Sequence, residues 1–467
     1  MERAEGVAPP ALDAGVARWT LVASILGSSM AFLDGSVVNV ALPSIQHDLG
    51  GGLATQQWVV TAYLLTLGSL ILVGGSLGDI FGESRVFAIG VASFAVVSVL
   101  CAVAPDAPAL ILFRGLQGAA GALLTPASLA MITAAFSGTA RGNAIGIWTS
   151  WTGISFIIGP TLGGWLVDVS TWRLIFLLNI PIAAATLLIL MRLGGLHQAR
   201  RENMRVDVPG AILCTAGLGL LVAGFIEQPR LGWNDPLILG ALIGGTALLG
   251  AFVAYELRTP MPMLPLRLFR LRNFSVTNVE TLSVYGGLSA LTTFLTLYLI
   301  EFAGFSAFQA GISLLPVTLV MFFVSPRTGR LSMQYGPRLF MALGPIIAGL
   351  PVLAYTRLSQ DVNYWVDVFP ALLVFSVGLS MTVAPLTTTV LADARAGDAG
   401  VASGVNNAVA RIAGLLAIAI LGILAAGGGG HLTAHGFHLT MAAVAGLLVC
   451  GGLIGAIGIR NPGRTGA

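Results

Sequence analysis

Four ionisable residues, Asp34, Arg114, Glu280 and Arg411, stand inside apolar runs long enough to cross a bilayer. Asp34 lies in a run from Trp19 to Val40 that is otherwise uncharged. A charged side chain at bilayer depth costs about 2.5–3.5 kcal/mol on insertion scales, so it normally faces a cavity or a partner. At about 1.5 Å per residue, Asp34 sits roughly 22 Å from Trp19, past the midplane of a ~30 Å core. A carboxyl group there is either a proton carrier, charged and neutral in turn, or a hydrogen-bonding link to a neighbouring helix. Arg114 begins about one turn inside its run, with Gln117 at i+3 on the same face. Those two either join Asp34 in a polar cluster or leave the arginine to snorkel outward. Glu280 is a second proton or cation-substrate site, or a structural acid. Arg411 either lines a cavity or pairs with an acid and neutralises it.

The surrounding elements must be membrane helices. Charged residues make up 9% of the 467, against about 25% in soluble domains, while hydrophobic residues reach 56% and mean hydropathy +0.90. The fold class expected is an all-α polytopic membrane protein. Fourteen apolar runs of spanning length begin at 18–42 and end at 439–459. All 23 basic residues are arginine, a composition expected of a GC-rich bacterial source. With a cytoplasmic N-terminus, inner segments hold eighteen of them, including Arg3, Arg200, Arg201, Arg205, Arg395 and Arg464. Only Arg173, Arg230 and Arg357 fall outside, so both termini are placed in the cytoplasm and the chain in the bacterial inner membrane. The net charge of +3 is modest and carried in loops, so no nucleic-acid partner is implied. Cys101, Cys214 and Cys450 are isolated in apolar runs and read as small core residues. The N-terminal residues mix acids with bases ahead of a full-length span, so no cleaved signal peptide is expected.

The chain repeats itself. GDIFGESR around Gly82 recurs as RLSMQYGPR around Gly336, GNAIG at Gly142 recurs as GVASG at Gly400, and Pro126 has a counterpart in Pro385. The offsets are 254, 258 and 259 residues. They divide the chain into a tail (1–17), a six-helix bundle (18–192), two inserted helices with linkers (193–274), a second six-helix bundle (275–459) and a tail (460–467). Duplicated bundles of this kind frame midplane sites that open alternately to either side.

Further candidates follow from position. Asp79, Gly82 and Arg85 end the second span, where Asp79 is either a gate capping another helix or a solvated loop acid. Gly153, Gly159, Gly163 and Gly164 strip side chains from the fifth helix and Pro160 can bend it, marking a sliding interface or ordinary tight packing. Trp58, Tyr63, Trp148, Trp151 and Ser155 are aromatic and polar candidates for a ligand cavity or, for the tryptophans, the membrane interface. His431, His435 and His438 lack a cysteine or acid beside them, and no metal or other cofactor is expected. Walker, G-x-S-x-G and zinc-protease motifs are absent, so neither ATP hydrolysis nor enzymatic catalysis is expected.

These motifs resemble the major facilitator superfamily, and more narrowly its fourteen-helix branch of drug:proton antiporters. LDGSVVNVALP (Leu33 to Pro43) looks like the branch's helix 1 signature, and RGLQGAAGALLTP (Arg114 to Pro126) like that of helix 4. GISFIIGPTLGG (Gly153 to Gly164) resembles the exporters' helix 5 signature, with WRLIFLLNIPI (Trp172 to Ile182) following. GSLGDIFGESR (Gly75 to Arg85) resembles the loop 2–3 gating motif, although Ile80, Glu83 and Ser84 stand where basic residues are usual and Met333 where the second copy often has an acid. The resemblance implies proton coupling through Asp34 with help from Arg114. It also implies export of a lipophilic small molecule by a monomer in the bilayer. Uptake or facilitated movement of a metabolite or lipid is the alternative on the same scaffold, and a membrane sensor without transport a third.

Overall fold

A computed structural model describes residues 14–193, 206–392, 399–426 and 430–461. Arg3, Arg200, Arg201, Arg205, Arg395 and Arg464, with most of both tails, lie outside these residues. Fourteen helices are long and apolar enough to span a membrane. They are α1 Gly15–Leu49, α2 Gly52–Phe81, α3 Glu83–Ala102, α4 Ala107–Ala135, α5 Ala140–Val169, α6 Leu174–Arg192 and α7 Val208–Leu231. The rest are α8 Pro236–Glu256, α9 Arg272–Glu301, α10 Ala307–Tyr335, α11 Pro337–Arg357, α12 Tyr364–Ala392, α13 Gly400–Ala426 and α14 Ala434–Gly458.

Their boundaries have local causes. Asp106, Asp207 and Asp235 each accept from a backbone N–H in the first turn of α4, α7 and α8, with a proline at the start of each helix. Ser306 and Gln309 form a reciprocal capping box at α10. Gly82 (φ 91°) breaks α2 from α3, and its repeat partner Gly336 (φ 88°) breaks α10 from α11 in the same left-handed region. The sequence repeat is thus a repeat of backbone geometry.

Helices α1–α6 pack on one another, and so do α9–α14. Inserted helices α7 and α8 pair together, and α7 lies across the seam where α2 meets α13. There Thr215 donates to Ser69 (2.8 Å), and the Trp58 Nε1 donates to Glu227 (3.2 Å).

One end of the bundle, called distal here, carries Leu49, Gly52, Val169 and Ala307; the basal end carries the start of α1 and the end of α14. The two sets of helices are locked together distally. Asp168 at the end of α5 accepts from the N–H groups of Ala307 (3.1 Å) and Phe308 (3.0 Å), the first two residues of α10. An anion is favoured at such a helix N-terminus. Gln56 donates to Glu301 (2.7 Å), Gln57 to the Ile418 carbonyl (2.7 Å), and the Leu53 N–H to the Gly430 carbonyl (3.1 Å). Toward the base the sets part along α5. A Cβ added at Gly142, Gly146 or Gly153 would meet nothing within 4 Å. Thr149 and Ser150 on α5, Thr387 and Thr388 on α12, and Asn407 on α13 are polar yet exposed in membrane helices, as walls of an aqueous opening would be.

The α5 glycines do not share one bare face. Gly159 and Gly163 sit against α1, where an added Cβ would fall 2.2 Å from Ser36 Oγ and from Val37 Cγ2 respectively. Gly164 instead faces α10, 2.4 Å from the Ala307 carbonyl, and Gly311 returns the contact against Pro160. Gly163→Leu is therefore expected to destabilise the purified protein by about 1–3 kcal/mol through overpacking, read by detergent unfolding. Gly153→Leu, which projects into open space, is expected to stay within about 0.5 kcal/mol of wild type.

Candidate functional site

The Asp34 carboxylate is fully buried and meets the buried guanidinium of Arg114, whose Nη1 donates to Asp34 Oδ2. Desolvating two charges is costly, and the surrounding hydrogen bonds offset it. Arg114 also donates through Nη1 to Gln117 Oε1 (2.6 Å) and through Nε to the Val59 carbonyl (3.0 Å). Gln117 Nε2 donates to Asp34 Oδ1 and to Ser98 Oγ, each at 2.9 Å. Asn179 Nδ2 reaches the same two acceptors at 3.3 and 3.2 Å. Two helices, α4 and α6, thus reach the carboxylate on α1 directly, while α2 and α3 join the network through the Val59 carbonyl and Ser98. Tyr63 roofs the pair with its ring 4.4 Å from the Arg114 guanidinium, and its hydroxyl donates to the Ala31 carbonyl (2.9 Å). Asn179 Oδ1 is buried without a hydrogen-bond partner, an unused acceptor inside the cluster.

Residues 24–418 match the profile of the Major Facilitator Superfamily. The chain belongs to that superfamily. It is 34% identical over 429 residues to a puromycin resistance protein of Streptomyces alboniger, covering 90% of this chain and 84% of the relative. Identity is 33% over 411 residues to the tetracenomycin C resistance and export protein of Streptomyces glaucescens, covering 87% and 76%. It is 35% over 405 residues to a cephamycin export protein of Amycolatopsis lactamdurans, covering 86% and 83%. Among solved structures, a bacterial homologue of the human lysosomal transporter Spinster superposes with a TM-score of 0.67 at 17% identity, covering 96% and 97%. A peptide transporter superposes at 0.69 and 15%, covering 94% of each chain. The fold is that of superfamily transporters.

Within this superfamily scaffold the remaining candidates separate. Glu280 is fully buried in α9, and neither carboxyl oxygen has a hydrogen bond. A Cβ on Gly455 of α14 would lie 2.9 Å from Glu280 Oε2 and 2.6 Å from the Met341 carbonyl of α11. Pro345, four residues beyond Met341, has no N–H to offer that carbonyl. Arg411 makes no ion pair among the described residues; its guanidinium lies 5.2 Å over the Phe32 ring. Trp58 belongs to the α7 seam, and Trp148 donates to Ser28 of α1 (3.2 Å) as part of the packing between α1 and α5. Trp151 is 51% exposed and Ser155 bonds the Trp151 carbonyl of its own helix. Asp79 and Arg85 flank the Gly82 hinge at the basal end. The three histidines gather no metal-ligating group among the described residues; His431 stands beside Gly52, and His438 contacts the Leu358 carbonyl (2.9 Å).

Ser98 and Asn179 complete the cluster without having been singled out from sequence. Ser98 gave no signal beyond a small polar side chain within an apolar run, and Asn179 stood unremarked inside the WRLIFLLNIPI stretch. Removing one member of a buried pair strands the other charge, so Arg114→Gln and Asp34→Asn are each expected to cost about 3–5 kcal/mol singly. The double variant Asp34→Asn, Arg114→Gln is expected to recover much of that loss. A double-mutant cycle on thermal unfolding measures the coupling.

Proposed function

We propose that this protein is a proton-coupled exporter of amphipathic drugs or antibiotics, working by alternating access in a bacterial inner membrane. The observation that carries the reading is the Asp34–Arg114 pair, a carboxylate on α1 sealed from solvent and held by Arg114 and Gln117 of α4 and Asn179 of α6. The resistance and export functions of the relatives support it. Arginine counting puts the basal end in the cytoplasm, so the parted α5 faces inward and the distal contacts are the closed outer gate. The domain division at 18–192 and 275–459 gives the two bodies that rock, with α7 and α8 riding on the seam.

In this cycle substrate enters from the cytoplasm through the basal opening. Asp34 takes up its proton once the distal contacts open. Protonation leaves Arg114 held by Gln117 and the Val59 carbonyl, and gives the new O–H an acceptor in Asn179 Oδ1. The pair loosens, α1 is freed to move against the Gly159–Gly163 face of α5, and the gates exchange. Each proton crossing the full field supplies about 2.3 kcal/mol per 100 mV. Gly82, Asp79 and Arg85 would form the inner gate when the basal end closes. Glu280, buried in α9 with no hydrogen bond on either carboxyl oxygen, would be a second proton site.

Asp34→Asn is expected to abolish efflux that depends on the proton gradient while expression is kept. A susceptibility and efflux panel in a pump-deficient host measures this; undiminished active efflux by the variant would refute the proposal. Transport direction in inverted vesicles separates export from uptake.

A further inference from the structure

Arg411 is not part of the Asp34 cluster and has no partner of opposite charge among the described residues. It lies about 17 Å along α13 from Gly400, deep within the membrane span. No ion pair or hydrogen bond holds its guanidinium among the described residues; its one specific contact is the face of Phe32 on α1. The side chain is partly exposed. A charged group at this depth is tolerated where it faces a water-filled cavity rather than lipid. Arg411 lies where α13 meets α2, close enough that a Cβ on Gly68 would be 3.0 Å from Arg411 Cβ. The guanidinium thus stands between the two sets of helices, on the path that alternating access exposes.

Neither Asp34 nor Glu280 pairs with it. Asp34 is bonded to Arg114, and Glu280 is buried on α9 toward α11 and α14. On the side of α9 that meets α13, the groups are neutral: Asn406 donates to Asn278 (3.2 Å) and to Thr281 (2.7 Å). A cation with no hydrogen bond or ion pair among the described residues and an aromatic ring beneath it is half of a recognition site.

We infer that Arg411 is the anchor for an amphipathic substrate bearing a carboxylate, whose aromatic or aliphatic body lies against Phe32. The planar guanidinium matches a carboxylate with two parallel N–H···O bonds, and such charge-assisted pairs gain strength away from bulk water. An aromatic face beneath a fixed cation suits an amphipathic acid better than a sugar or a lipophilic cation. This names the substrate class for the exporter described above and rests on that reading for its physiological meaning.

The test is equilibrium binding of an alkyl-naphthoate and its methyl ester to the purified full-length protein in nanodiscs. The acid is expected to bind about tenfold more tightly than the ester, about 1.4 kcal/mol. Arg411→Gln is expected to bring the acid down to the ester's affinity and leave the ester unchanged. Arg411→Lys is expected to keep the preference with a several-fold loss, and it carries the test where the glutamine variant does not fold. Equal binding of acid and ester by wild type, or tighter binding of a matched alkyl-naphthyl ammonium, would overturn the inference. Asp34→Asn in the same assay separates the two readings. Acid preference retained alongside undiminished efflux sinks proton coupling alone; preference absent alongside gradient-dependent efflux sinks the anion site alone.

Discussion

The structure depends on a charge pair that water cannot reach. A carboxylate sealed from water at the centre of a helical bundle is costly without a partner, and so is a sealed guanidinium. In this arrangement Asp34 and Arg114 neutralise each other, Gln117, Asn179 and the Val59 carbonyl supply further hydrogen bonds to them, and Ser98 holds the two amides. Each of those groups comes from a helix whose position is thereby fixed. The cluster is consequently a keystone for the first six helices as well as a candidate proton site. Neutralising one charge changes the helix packing because the bonds that hold α1, α4 and α6 are the bonds that satisfy that charge.

Close packing without side chains supplies the complementary property. Gly159 and Gly163 receive the Ser36 and Val37 side chains of α1, and at Gly164 and Gly311 the backbones of α5 and α10 approach to distances that any Cβ would prohibit. The backbone contacts between α5 and α10 have little interdigitation to undo. The distal end adds directional bonds on top of them. The Asp168 carboxylate on two N–H groups of α10 and the Gln56–Glu301 bond are short, specific and breakable. A fold with slippery interfaces and a few polar latches has two arrangements of similar energy, which alternating access needs.

How much of this could be read from the sequence follows the same physics. The fourteen spans were legible because apolar length is imposed by the bilayer. Asp34, Arg114 and Glu280 were legible because ionised side chains are expensive in such spans. Ser98 and Asn179 were not, since small polar groups satisfy themselves on their own helices almost anywhere, as Thr152 and Thr186 do here. The glycines of α5 were visible, but their division between α1 and α10 was not; that depends on how the helix is rotated between two neighbours. Trp58 carried no hint of its partner, because where the inserted pair docks is decided by tertiary contacts, and Glu227 reaches it across that seam. The distal latches escaped for a related reason. Asp168, Gln56 and Glu301 lie at helix ends, where polar residues are ordinary.

One turn of α1 ties these parts together. The Ala31 carbonyl receives the hydroxyl of Tyr63, the Phe32 ring lies under Arg411, and Asp34 holds Arg114. Tyr63 in turn stacks on Arg114, so the aromatic roof of the charge pair is fastened to the same turn. A change in the bonding of Asp34 therefore cannot leave Phe32 and its cation undisturbed, because four consecutive residues of a helix move as one body. Under the proposed reading, linkage would make the dependence mutual: a substrate on Arg411 would shift the proton affinity of Asp34 by the same factor that the proton would shift its binding. Coupling of that kind would need no long relay through the protein, only one rigid turn shared by both sites, and residues 31–34 form such a turn.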